Sequence, residues 1–176
     1  MNKLWKKLTD RIRLWRAGCN LGAMLIGGGA TMLAGVIVRA VCGSPYRHGV
    51  MVQFDAYIPP VWLMTLLWML WYFILGATLA YVLSSSRCDR ASRAEVYRGG
   101  MLFLSMLFLG FVWYPLFFVA ARFFLAWLIV FAVLALCVLS AWGYWRVSRL
   151  VSVILLSHAV FLFYLWIVNF IVIVHS

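Results

Sequence analysis

Five uninterrupted apolar stretches dominate this chain, at about residues 17–38, 59–83, 101–121, 123–145 and 150–174. Each meets or exceeds the roughly 20 residues that an α-helix needs to cross the hydrocarbon core of a bilayer. No water is available there to satisfy a backbone N–H or C=O, so a crossing segment must be a helix or part of a closed barrel. Barrel strands would read as short alternating segments, whereas these runs are long and continuous. The fold class expected is all-α, a polytopic membrane protein built as a bundle of five transmembrane helices. Composition agrees, because 67% of residues are hydrophobic and 11% charged, against about 45–50% and about 25% in soluble domains. Once the runs are removed, no soluble domain or long linker remains. The expected organisation is a basic amphipathic arm over residues 1–16, then one five-helix domain over residues 17–176.

The formal net charge of +11 would suggest nucleic acid in a soluble domain, but where the charge lies argues otherwise. Six of the fifteen basic residues fall in residues 2–16, four in residues 87–98, and two more are Arg146 and Arg149. With five spans these three clusters share one side of the membrane. That side is the cytoplasm, since loops retained there carry the excess of Lys and Arg. We expect a bacterial cell membrane, with the N-terminus cytoplasmic, His175 external, membrane lipid as a partner and no nucleic acid. In the arm, Leu4, Leu8, Ile12 and Trp15 follow one helical face, as in a helix lying on headgroups; a plain basic tail is the alternative. Loop one, about residues 39–58, is the longest connection, and its Pro, Gly, Tyr and Asp content suits an external lid. The turn at Arg122 is short enough to make helices three and four an antiparallel hairpin. The four cysteines are far apart and form no CxxC pair, so no disulfide or metal framework follows.

The acids are Asp10, Asp55, Asp89 and Glu95, and none lies inside an apolar run. Proton-coupled transporters and pumps usually keep a carboxylate at membrane depth, and acid–base catalysis by paired carboxylates has no candidates. Only His158 sits within a run, so bis-histidine haem ligation lacks a second ligand. We therefore assign no catalytic residue, metal or cofactor. Aromatic residues are abundant instead: ten Trp, eight Tyr and thirteen Phe. In the second run Trp62, Thr65, Met69, Tyr72 and Gly76 share a helical face, and Trp68 lies one turn before Tyr72. In the third, Trp113 precedes Phe117 by one turn, with Pro115 between them. In the fifth, His158, Phe161, Leu165 and Asn169 form one narrow stripe. Polar groups at membrane depth should face protein or a cavity, which turns that stripe inward. Inward aromatics with a few polar atoms describe a flat apolar ligand pocket; ordinary aromatic packing is the plainer alternative. Ala23, Gly27, Thr31 and Gly35 recur every fourth residue in the first run, a spacing that lets helix backbones approach closely, within one chain or across a dimer seam.

The stretch PPVWLMTLLWMLWYFILG (residues 59–76) resembles, without gaps, the translocator protein (TspO/MBR, tryptophan-rich sensory protein) signature PPxWxFPxxWxxLYxxMG. Pro59, Pro60, Trp62, Trp68, Tyr72 and Gly76 match, while Thr65 stands where the family usually has proline. The run Trp113-Tyr114-Pro115-Leu116-Phe117-Phe118 is similar to the family's WSPLFF, with Gly110 in place of an asparagine that often precedes it. Residues 157–169 resemble PYxxWxxFAxxLN; Asn169 is kept, and Ser157, His158 and Phe161 replace the Pro, Tyr and Trp. The resemblance implies a five-helix bundle, often dimeric, with a pocket open toward loop one. It implies protoporphyrin IX and related tetrapyrroles, or other lipophilic small molecules, as ligands. Trp68 stands at a family position implicated in porphyrin binding and breakdown, and its partner there is Phe161. The ligand-site candidates are Trp62, Trp68, Tyr72, Trp113, Phe117, His158, Phe161 and Asn169. The leading expectation is a tetrapyrrole-binding sensor or carrier. A light-dependent porphyrin-degrading enzyme comes second, weakened because a phenyl ring at position 161 is harder to oxidise than an indole. A membrane scaffold without a small ligand comes third.

Overall fold

The computed structural model describes residues 20–42, 60–84 and 90–175. Five helices follow one another there: α1 (Leu21–Cys42), α2 (Val61–Ser84), α3 (Arg90–Phe118), α4 (Phe123–Tyr144) and α5 (Arg149–His175). There is no strand among the described residues. All five helices are long and apolar enough to cross a membrane, as the apolar runs require of a chain whose solvent is lipid. This is an integral, multi-pass membrane protein. The arm at residues 1–16 and most of loop one, including the expected lid, lie outside the described residues.

Local chemistry sets the helix ends. Asn20 begins α1 by accepting the Ala23 N–H on its side-chain oxygen at 3.1 Å, the ordinary role of an N-cap asparagine. Pro60 begins α2, where a missing N–H costs nothing, and its carbonyl takes the N–H groups of Leu63 and Met64. Helix α3 starts at Arg90, well before the apolar run that begins near residue 101. The additional turns are polar but rich in helix formers, and tertiary contacts hold them. The Tyr144 hydroxyl donates to the Val96 carbonyl at 3.3 Å, and the Tyr144 ring covers Gly99 so closely that a Cβ there would stand 2.8 Å from Cζ. Pro115 lies three residues before the end of α3. Its carbonyl accepts from both Val119 and Ala120, and Leu116 accepts from Arg122. The chain then reverses through Ala121 at φ 51°, a left-handed conformation that a Cβ disfavours, and enters α4.

Two packed units result. Helix α1 runs along α2, and α3, α4 and α5 lie side by side as antiparallel neighbours, whereas α2 meets α3 and α5 at few points. The α3–α4 hairpin is the one expected from the short turn at Arg122. Helix α4 is the middle of its unit and buries Ala126, Val130, Val133, Cys137, Ser140, Ala141 and Tyr144. At the α4–α5 turn the buried Ser152 hydroxyl donates to the Ala141 carbonyl at 2.8 Å. In the other unit, Gly27 lies against Gly76 and Ala80, Gly28 against Phe73, and Gly35 against the Tyr72 ring. Thr31 donates across to the Tyr72 carbonyl at 2.8 Å. The small residues of α1 thus serve packing within the chain.

Candidate functional site

A small cavity lies at the seam between the two units. Helix α2 supplies Trp68, Trp71, Tyr72 and Leu75; α3 supplies Met106, Leu107, Gly110 and Trp113; α4 supplies Val130 and Val133; and α5 supplies His158, Leu162 and Leu165. One turn of α2 carries three of the aromatic rings, and Gly110 leaves room opposite Tyr72 because it has no side chain. The space measures about 20 Å³, the scale of a single water. Sites for drug-sized ligands run to about 300–1,000 Å³, so admitting a flat ring system requires the rings to part.

Those rings form a continuous stack. Trp68 and Trp113 are nearly parallel, with centroids 5.4 Å apart. Trp68 also meets Tyr72 at 5.7 Å and the edge of Phe161 at 5.7 Å. Trp71 packs on His158 at 4.8 Å and stacks on Phe161 at 6.2 Å, so α2 and α5 meet through these rings. Tyr72 stacks on Phe111 at 4.8 Å. Nearly every lining atom is apolar. The exception of interest is His158, which is 4% exposed and whose Nδ1 has no hydrogen-bond partner among the described residues. Leaving a buried polar atom unpaired costs about 1–3 kcal/mol, and a ligand bearing a complementary donor or acceptor would recover that.

Trp68, Tyr72, Trp113 and His158, expected from the sequence, line the cavity together. Phe161 flanks it through the ring contacts just given. Phe117 stands behind Trp113, stacked at 5.3 Å, and does not reach the lining. Asn169 lies one turn outward of Leu165: it accepts the Trp113 indole N–H at 3.2 Å and donates to the Leu165 carbonyl at 2.7 Å. Trp62 does not join them and is 69% exposed. The α2 stripe to which it belongs is turned toward α1, and Trp62 sits on the outermost turn, where the described part of α1 ends. Trp71, Leu75, Met106 and the α4 valines were not expected. Trp71 had a signal, being one turn from Trp68 on the side away from α1. The valines had none, because α4 is apolar all round.

The Trp113–Asn169 bond can be tested directly. Trp113→Phe keeps a ring but removes the donor, leaving a buried amide oxygen unsatisfied. We expect a loss of about 1–3 kcal/mol in folding stability, read from thermal or detergent-titration melts. A variant as stable as the parent would show that this bond does not hold α3 to α5.

The TspO/MBR family model matches residues 23–174. No curated protein and no solved structure matches the chain.

Proposed function

Since the chain belongs to the TspO/MBR family, we propose that it is a membrane-embedded binding protein, a sensor or carrier, for tetrapyrroles such as protoporphyrin IX or other flat lipophilic molecules. The observation that carries this reading is the Trp68–Trp113 stack beside Trp71 and His158 at the seam between two helical units. Stacked indoles offer a planar guest the same contacts that they give one another. Because ring faces are apolar and polarizable, exchanging one ring for another costs little. The unpaired His158 nitrogen adds a single point of polar recognition, which fixes orientation in an otherwise apolar site.

The test is a titration of purified protein with protoporphyrin IX, followed by a shift of the porphyrin absorption band and by tryptophan quenching. Saturable binding at one ligand per chain, or per two chains of a homodimer, is expected. Porphyrin that partitions equally into protein-free micelles, with no saturable component, would leave only a scaffold role.

We further propose that the N-terminus is cytoplasmic and the C-terminus external. The support is the placement of twelve of the fifteen basic residues in three clusters on one side of five spans. A cysteine added after the last residue should react with a membrane-impermeant thiol reagent on intact cells, and protection of that cysteine would refute the orientation.

A further inference from the structure

Arg39 stands out at the outer end of α1. It lies within the apolar span Leu21–Cys42, on the side opposite the three basic clusters, and is half-buried. A guanidinium in the last turn of a span can reach the headgroups, whereas this one is turned toward protein. Its side chain donates to the Thr65 hydroxyl of α2; α1 also contacts α3, where the Arg39 charge acts on the Tyr114 hydroxyl. The Tyr114 oxygen is itself buried, with no hydrogen-bond partner among the described residues. Glu95 is the sole carboxylate among the described residues, and it lies near the opposite end of α3, so no described acid neutralises Arg39.

None of Arg39, Thr65 and Tyr114 lines the cavity, but the register sets them one step outward of residues that do. Gly35 packs on Tyr72, and Arg39 is one turn further out, where antiparallel packing brings it to Thr65. Thr65 in turn precedes Trp68 by one turn, and Tyr114 follows Trp113. A cation and a free phenolic hydroxyl therefore stand at the outer end of the aromatic stack, each with hydrogen-bonding capacity to give to an anion.

We infer that Arg39 and Tyr114 form an anion site that holds a carboxylate of the ligand whose ring system lies between the indoles below. This rests on the proposed binding function and narrows it: the preferred guests are flat amphiphiles with an acidic group at one edge. A guanidinium presents its N–H donors in a fork that matches a carboxylate, and the Tyr114 hydroxyl supplies one more donor. Thr65 keeps the guanidinium from turning out toward the headgroups. A lipid phosphate offers similar oxygens, so the test must separate the two sources.

The experiment compares protoporphyrin IX with its dimethyl ester, which has the same ring system without the negative charge, in nanodiscs of neutral phosphatidylcholine. The parent should bind the free acid about tenfold more tightly than the ester, the scale of one charge-assisted hydrogen bond. Arg39→Met should lose that preference by weakening the acid far more than the ester, and Arg39→Lys should restore part of it. Equal affinity of the parent for acid and ester would overturn the anion site while leaving the pocket intact. If the parent binds neither, both the pocket and the anion site fall. If Arg39→Met weakens acid and ester alike, the side chain packs the bundle and holds no anion. Finally, an acid preference abolished by phosphatidylglycerol in the disc would give the site to a headgroup phosphate and overturn its assignment to the ligand.

Discussion

Gly76→Ala should destabilise the folded bundle by about 3 kcal/mol, the upper end of the usual cost of forcing extra atoms into a packed interior. A Cβ at position 76 would run into the Thr31 hydroxyl and the Gly27 carbonyl, with Thr31 Cβ at 2.9 Å. None of these is the far end of a flexible chain. Thr31 is already committed, because its hydroxyl bonds to the Tyr72 carbonyl and lies near the carbonyls of Gly27 and Gly28. Relief therefore requires α1 to move away from α2, which breaks that bond and loosens Gly28 from Phe73 and Gly35 from Tyr72 in the same motion. Gly29→Ala is the matched control. Nothing lies within 4 Å of a Cβ there, and alanine is favoured over glycine in a helix by about 1 kcal/mol, so that variant should be neutral or slightly stabilised. Detergent-titration unfolding of the two variants beside the parent decides the matter. Equal stability of Gly76→Ala and the parent would mean that the α1–α2 contact yields far more easily than its geometry allows.

Trp68→Ala should weaken tetrapyrrole binding roughly 5- to 150-fold, by analogy with the about 1–3 kcal/mol lost when an aromatic platform for a stacked base is removed. Trp68 touches rings from three helices: Tyr72 on its own, Trp113 on α3 and Phe161 on α5. Its removal leaves a guest with one indole face where there were two. Binding should be followed by the porphyrin absorption band, since tryptophan emission changes with the substitution itself. Trp68→Phe should retain most of the affinity, because a phenyl face still stacks. Trp62→Ala should retain all of it, because that ring is exposed and does not line the cavity. Helical content and melting must be measured alongside. A folded Trp68→Ala protein that binds as tightly as the parent would remove the stack from any role in recognition.

Hydropathy made five spans plain because lipid leaves the backbone no alternative to a helix. The α3–α4 hairpin was equally plain from the shortness of its turn. Small residues spaced by four in α1 announced a close helix contact, although not that its partner would be Gly76 of the same chain. The early start of α3 was hidden, since residues 90–100 are polar and their helix depends on Tyr144, far along the sequence. At the site, Trp68, Tyr72, Trp113 and His158 stood out as aromatic or polar residues at helical spacing. Trp62 and Trp71 could not be ranked by spacing alone. A helix that is apolar all round carries no amphipathic signal, so which of its faces meets protein and which meets lipid emerges only from packing. For the same reason Val130 and Val133 of α4 were indistinguishable from their neighbours.

The thin contact between α2 and α5 bears on how any guest is counted. Trp71 and Phe161, both half-buried, stack across that contact, and no hydrogen bond joins the two rings. A guest that entered by parting that pair would come sideways, from the bilayer rather than the aqueous phase. The reservoir that fills the site is then the solute dissolved in the membrane, and occupancy follows its mole fraction among lipids. Adding empty bilayer at fixed total ligand would dilute that reservoir and raise the apparent dissociation constant without altering a single contact in the protein.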